Sequence, residues 1–115
     1  MRKKTVKIPI YYGELTIIQV KNLAEIERKY MLSSLHGMDA CVFTNHKKNG
    51  FTRYVMAFNY NTDASIIAHE ALHIVGHIFL DARIKFQHDN DEPQCYLLGW
   101  IVDECHKFLK VKKCK

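Results

Sequence analysis

Residues 64–80 read ASIIAHEALHIVGHIFL, and the expected fold is built around them. Ile67, Ala71, Ile74 and Ile78 recur at the three-and-four spacing that draws one apolar stripe along an α-helix. Ala68, Leu72, Val75 and Phe79 fill the flank, so the stretch is expected to be a buried central helix. Within it lies His69-Glu70-Ala71-Leu72-His73, the pattern His-Glu-x-x-His, on the side away from Ile67, Ile74 and Ile78. Helical residues four apart are only about 40° apart around the axis. Two imidazoles at that spacing can reach one metal ion, and Glu70 on the adjacent face can polarise a water beside it.

With this composition, about 0.02 such patterns are expected by chance, so the motif is suggestive and its context matters. Burying two histidines and a glutamate is costly unless they are hydrogen-bonded or hold a metal. The alternative is a pair of core histidines satisfied by backbone carbonyls, with Glu70 reaching solvent.

Working outward, 115 residues suffice for one domain with a modest core, and 48% apolar residues with 13 aromatics describe a folded globule. No stretch has the apolar length needed to span a membrane. Met1-Arg2-Lys3-Lys4 resembles the start of a signal peptide, but Lys7, Pro9 and Glu14 break up the apolar run that a signal peptide requires next. Cys41, Cys95, Cys105 and Cys114 form no Cys-x-x-Cys pair and are expected to be reduced thiols in a cytoplasmic protein. Nine of the 17 basic residues lie in two short tails, 1–7 and 107–115, while Ile8 to His106 carries a net charge of −4. Basic tails can touch nucleic acid, but are more often solvated ends.

Val6–Tyr12 and Glu14–Val20 read as strands broken by Gly13, with Pro9 marking the first as an edge. Asn22 reads as the N-cap of a helix from Leu23 to about Leu35, with Leu23, Ile26, Tyr30 and Leu35 inward, ended by His36-Gly37. Ala40–Asn45 and Phe51–Phe58 are the next strands, turned at His46–Gly50 with an Asn-Gly signal. Thr62 or Asp63 caps the central helix, and Asp81–Asn90 is a polar connection. The last helix runs from Glu92 to about Lys112, opened by Asp91 and Gln94 as a capping box with Pro93 in its first turn. Leu97, Ile101, Cys105 and Phe108 form its core stripe, with Leu98, Val102 and Leu109 beside it, and Gly99 marks a close helix contact. The order ββ-α-ββ-α-α makes one α+β domain, residues 1–115.

A tight zinc site needs a third protein ligand. Phe79 stands where His-Glu-x-x-His-x-x-Gly-x-x-His would place it. His77 lies about 6 Å further along the axis than His73, too far to converge, and is read as supporting or packing. Glu92, 19 residues after His73, is the favoured ligand, with His88, Asp89 and Asp91 as competitors. Tyr96, one turn on, could hydrogen-bond an oxyanion, though packing is the commoner use of such a Tyr; Asp103 reads as an exposed acid.

IIAHEALHIVGHIF followed by NDEPQCYLLGWIVDE resembles the small gluzincin-type metallopeptidases often encoded by bacteriophages and prophages. Their pattern is His-Glu-x-x-His, a short connection, then Asn-Glu-x-x-x-Tyr-Leu-x-Gly on the next helix. The matching positions are His69, Glu70, His73, Glu92, Tyr96, Leu97 and Gly99; the chain departs from the pattern at Asp91 and Pro93. The resemblance spans roughly residues 40–108. It implies a minimal zincin-like α+β fold, Zn2+ as cofactor, His69, His73 and Glu92 as ligands, and Glu70 with Tyr96 as catalytic groups. The expected activity is hydrolysis of a peptide or protein substrate, with Glu70 taking the proton of a zinc-activated water as it attacks a carbonyl. The strand Phe51–Phe58, if at a sheet edge, could hold an extended peptide by strand addition. The competing expectations are an inactive, metal-stabilised binding or inhibitor protein with a host-protein partner, and a nucleic-acid-associated zincin tethered by its tails.

Overall fold

Two antiparallel hairpins lie side by side and make one four-stranded sheet. The computed structural model describes residues 1–33, 35, 37–47 and 51–112. Its elements are β1 (Arg2–Lys7), β2 (Glu14–Val20), α1 (Ala24–Tyr30), β3 (Ala40–His46), β4 (Thr52–Asn59), α2 (Ala64–Ala82) and α3 (Glu92–Phe108). The expected ββ-α-ββ-α-α order and α+β class are what the chain adopts. The strand order is β1-β2-β4-β3, and the hairpins join through a parallel β2–β4 pair, so the sheet is mixed.

Alternation along β2 and β4 divides the core between the two faces of the sheet. Leu15, Ile17, Tyr54, Met56 and Phe58 pack with Ile67, Ile74, Ile78, Leu97 and Ile101 of α2 and α3. Ile18, Val20, Val55 and Ala57 go to the other face, under Leu23 and Ile26 at α1. The two central strands are covered on both faces, which is why they read as near-continuous apolar runs. Each fully buried isoleucine contributes roughly 1.5–3 kcal/mol by its removal from water.

Several expectations are corrected. The first strand is Arg2–Lys7, not Val6–Tyr12, and Pro9 lies outside it in the connection to β2. Basic side chains do not prevent an edge strand: Arg2, Lys4 and Val6 turn toward the helices while Lys3, Thr5 and Lys7 face solvent. Gly13 ends the connection at φ +123°, where an added Cβ would lie 2.8 Å from the Thr52 carbonyl oxygen. The first helix is short, closed by Met31 at φ 55°. The N-cap is Leu23, without a side-chain cap, and not Asn22, whose side chain accepts from the Ala24 N–H at 2.9 Å one residue earlier; Leu23 and Ile26 are buried as expected. His36 and most of the expected Asn-Gly turn lie outside the described residues. β4 is a central strand; the edges are β1 and β3.

The last helix ends at Phe108, four residues early. Gln19, fully buried, takes both backbone groups of Lys110: Nε2 donates to its carbonyl at 2.8 Å, and its N–H donates to Oε1 at 3.0 Å. Lys112 then donates to the Thr62 carbonyl at 2.8 Å. These bonds satisfy groups that another helical turn would have used. The tails are therefore not simply solvated ends: Arg2 donates to Gln19 Oε1 at 2.7 Å and to the Phe108 carbonyl at 2.9 Å. Among the described residues, no helix is long and apolar enough to cross a membrane.

Candidate functional site

Asp63 starts α2 by accepting the Ile66 N–H at 3.0 Å, and that bond holds its carboxyl below the usual range. Arg83 closes the helix at φ 60°. Ile67, Ala71, Ile74, Val75, Ile78 and Phe79 are buried, but Ala68, Leu72 and Leu80 are exposed, Leu80 by 74%. The expected all-round burial is thus corrected: α2 lies on the sheet with one side in water. His69 and His73 stand on that wet side, so burial cost does not compel them to hold a metal.

What the helix does supply is their proximity on one face, and the side chains converge. The Nε2 atoms of His69 and His73 face each other at 3.2 Å, with ring planes at 71°. One N–H donating to the other ring's lone pair accounts for this spacing. So does a shared tetrahedral ion, because two ligand nitrogens about 2.05 Å from zinc lie about 3.3 Å apart. The donor chemistry therefore fits Zn2+ at two positions.

Glu70, next to His69 in the chain, is half-buried. Its charge reaches Cys41 on edge strand β3, where burial first and Glu70 second push the thiol up to about 11. His77 is half-buried one turn beyond His73.

The expected third ligand is elsewhere as the chain stands. Among the described residues, no group of three His, Cys, Asp or Glu is placed to hold a metal ion, so neither Glu92 nor its competitors His88, Asp89 and Asp91 join the histidines. Glu92 opens α3 with its side chain exposed. The capping box is not formed: Asp91 makes no side-chain cap, and Gln94 accepts from the Gln87 N–H at 3.2 Å instead.

Glu92 and Tyr96 face a groove of about 1160 Å³ between the β1–β2 connection and the outer side of α3. Pro9, Ile10, Tyr11 and Trp100 are among its walls, and neither His69 nor His73 lines it. Tyr96 is 80% exposed rather than packed. Gly99 has no neighbour within 4 Å of an added Cβ, so it opens the groove and does not mark a helix contact. Asp103 is exposed, as expected, and pairs with Lys107 at 3.0 Å. Sequence reading missed the Pro9–Tyr11 wall. The signal available was Pro9 beside two large apolar residues where a strand was expected; the structure turns the chain there, with the Tyr11 N–H bonded to the Pro9 carbonyl at 2.7 Å and Ile10 at φ 68°.

Comparison with protein-family models, curated proteins and solved structures returns no match.

Proposed function

We propose that the chain is a minimal zinc-dependent peptidase of the gluzincin type, acting in the cytoplasm. The observation that carries this reading is the convergence of two solvent-facing imidazole nitrogens at 3.2 Å, with the half-buried Glu70 next to His69 in the chain. His69 and His73 would hold the ion, and Glu92, on the exposed first turn of α3, is the side chain proposed to join them. The chemistry such an ion supplies is Lewis acidity, which acidifies water near neutral pH and polarises a carbonyl. The role of Glu70 is to accept the proton of the attacking water and pass it to the leaving amine. Edge strand β3, which packs against α2, offers free backbone groups to an extended peptide, the part first expected of β4. Tyr96, in the groove with Glu92, would donate its phenol to an oxyanion.

A second reading rests on the two-donor site: a binding protein for a host partner that supplies the missing ligand. Elemental analysis of protein purified without chelator, followed by cleavage of a peptide library, separates the two. The peptidase reading expects about one zinc per chain. It also expects chelator-sensitive cleavage, and a Glu70→Gln variant that keeps zinc and loses cleavage. A chain that takes up no added zinc, or a Glu70→Gln variant with full activity, would sink it.

A further inference from the structure

Among the described residues, three cations of the basic tails are engaged by neighbours on the helix side of the sheet or on α3 itself. Arg2 is held by Gln19 and Phe108, Lys4 lies 3.3 Å from Glu104, and Lys107 is paired with Asp103. On the opposite face of the sheet, the apolar packing beneath α1 ends at Val55 and Phe43. Beyond it, strand register sets Lys7, Glu14, Arg53 and Asn45 in one row across all four strands. Lys3 and Thr5 continue that side of β1, as the 2.9 Å contact between the Thr5 and Thr16 hydroxyls shows.

Glu14 is the acid of this row, and it is already engaged. Arg53 Nε donates to it at 2.7 Å and Lys47 Nζ lies 3.5 Å away. Lys3, Lys7, Lys47 and Arg53 against Glu14 leave a net charge of +3. Just ahead of the two central strands, beyond Glu14 and Arg53, Tyr12 is 68% exposed, edge-on to Phe51 at 5.0 Å, and Lys47 stands 5.8 Å from the Phe51 ring centre. Cations on a pleated sheet face, beside an accessible aromatic ring, match a flexible polyanion that carries its own flat apolar groups. A duplex keeps its bases stacked inside and offers Tyr12 nothing to stack on.

We propose that this sheet face, from Lys3 and Lys7 across Arg53 to Lys47 and Tyr12, binds single-stranded nucleic acid, its cations meeting phosphates and Tyr12 stacking on a base. The surface does not depend on the histidine pair.

Fluorescence anisotropy with labelled dT20 and its duplex tests this on the intact chain. With about three phosphate contacts, affinity for dT20 falls about 20-fold between 50 and 200 mM salt. Lys7→Glu with Lys47→Glu weakens it about tenfold or more, and Tyr12→Ala by about fivefold or more. Lys110→Glu with Lys112→Glu, on the segment held by Gln19 against the other face, leaves it within about twofold. Circular dichroism confirms that each variant is folded. No binding of dT20 at 50 mM salt overturns the proposal, as does indifference to the Lys7/Lys47 reversal. Equal affinity for the duplex, or equal displacement by polyglutamate, also overturns it, because either would reveal a generic polyanion or acidic-protein surface.

Discussion

Gln19 and Lys110 hold each other by two hydrogen bonds, one in each direction, at 2.8 and 3.0 Å. The Gln19 oxygen also accepts from Arg2, so a single buried amide joins the first strand, the second strand and the segment after the last helix. Replacing Gln19 with Leu keeps the volume and leaves the Lys110 backbone groups and the Arg2 guanidinium without this partner. Each lost partner costs about 1–3 kcal/mol when the group cannot reach water. We expect Gln19→Leu to lower stability by about 3 kcal/mol in urea denaturation, and to speed amide exchange at Lys110 and Lys112 more than at the centre of α2. An unchanged midpoint would mean that water replaces Gln19 at no cost.

The histidine pair predicts a sharper division. His69→Ala or His73→Ala should abolish stoichiometric zinc uptake, because neither imidazole alone holds the ion tightly. His77→Ala should retain it. Glu92→Ala should weaken uptake by about tenfold or more if its carboxylate completes the site. Titration with a chromogenic zinc indicator reads all four variants. Equal uptake by His69→Ala and the parent chain would show that the 3.2 Å contact is a hydrogen bond only.

These variants also show what was legible from residues alone. Helical periodicity places positions 69 and 73 on one face in any helix, so their proximity could be read without coordinates. The wet side of α2 could not, because Ala68, Leu72 and Leu80 are as apolar as the buried Ala71, Ile74 and Ile78. What separates them is the direction from which the sheet approaches. The strands were legible by composition except for β1, where Arg2, Lys3 and Lys4 mask an edge strand. The early end of α3 was hidden for a different reason: it depends on Gln19, a residue 91 positions away. Glu92 was found by spacing to a motif, and spacing along a chain does not say which groove a side chain faces.

Thiol reactivity offers a check on the two sides of the sheet. Cys41, Cys95 and Cys105 are free thiols. Burial pushes Cys105 up to about 12 and, with Glu70, Cys41 up to about 11, whereas Cys95 is exposed in the groove beside Tyr96. At pH 8 neither buried thiol carries appreciable thiolate, the species that reacts. Short iodoacetamide treatment followed by peptide mass mapping should therefore label Cys95 and leave Cys41 and Cys105 protected until the chain is unfolded. Early labelling of Cys41 would mean that edge strand β3 opens readily.

Glu14 gives the fold a pH dependence whose sign is set by Arg53. The hydrogen bond from Arg53 holds the Glu14 carboxyl below its ordinary value of 4.5, so the folded state favours the ionised form. A group depressed on folding contributes stability above its unfolded pKa and loses it as pH falls through the folded value. Glu14→Gln removes that contribution and leaves Arg53 and Lys47 without their shared anion. We expect the variant to be less stable by about 0.5–1 kcal/mol at pH 7, the range for a largely solvated ion pair. The gap should close as pH drops below about 4.5 and vanish once the parent carboxyl is protonated. Paired urea titrations at pH 7, 4.5 and 2.5 measure it, and a gap that persists at pH 2.5 would assign the loss to altered packing instead of to the charge.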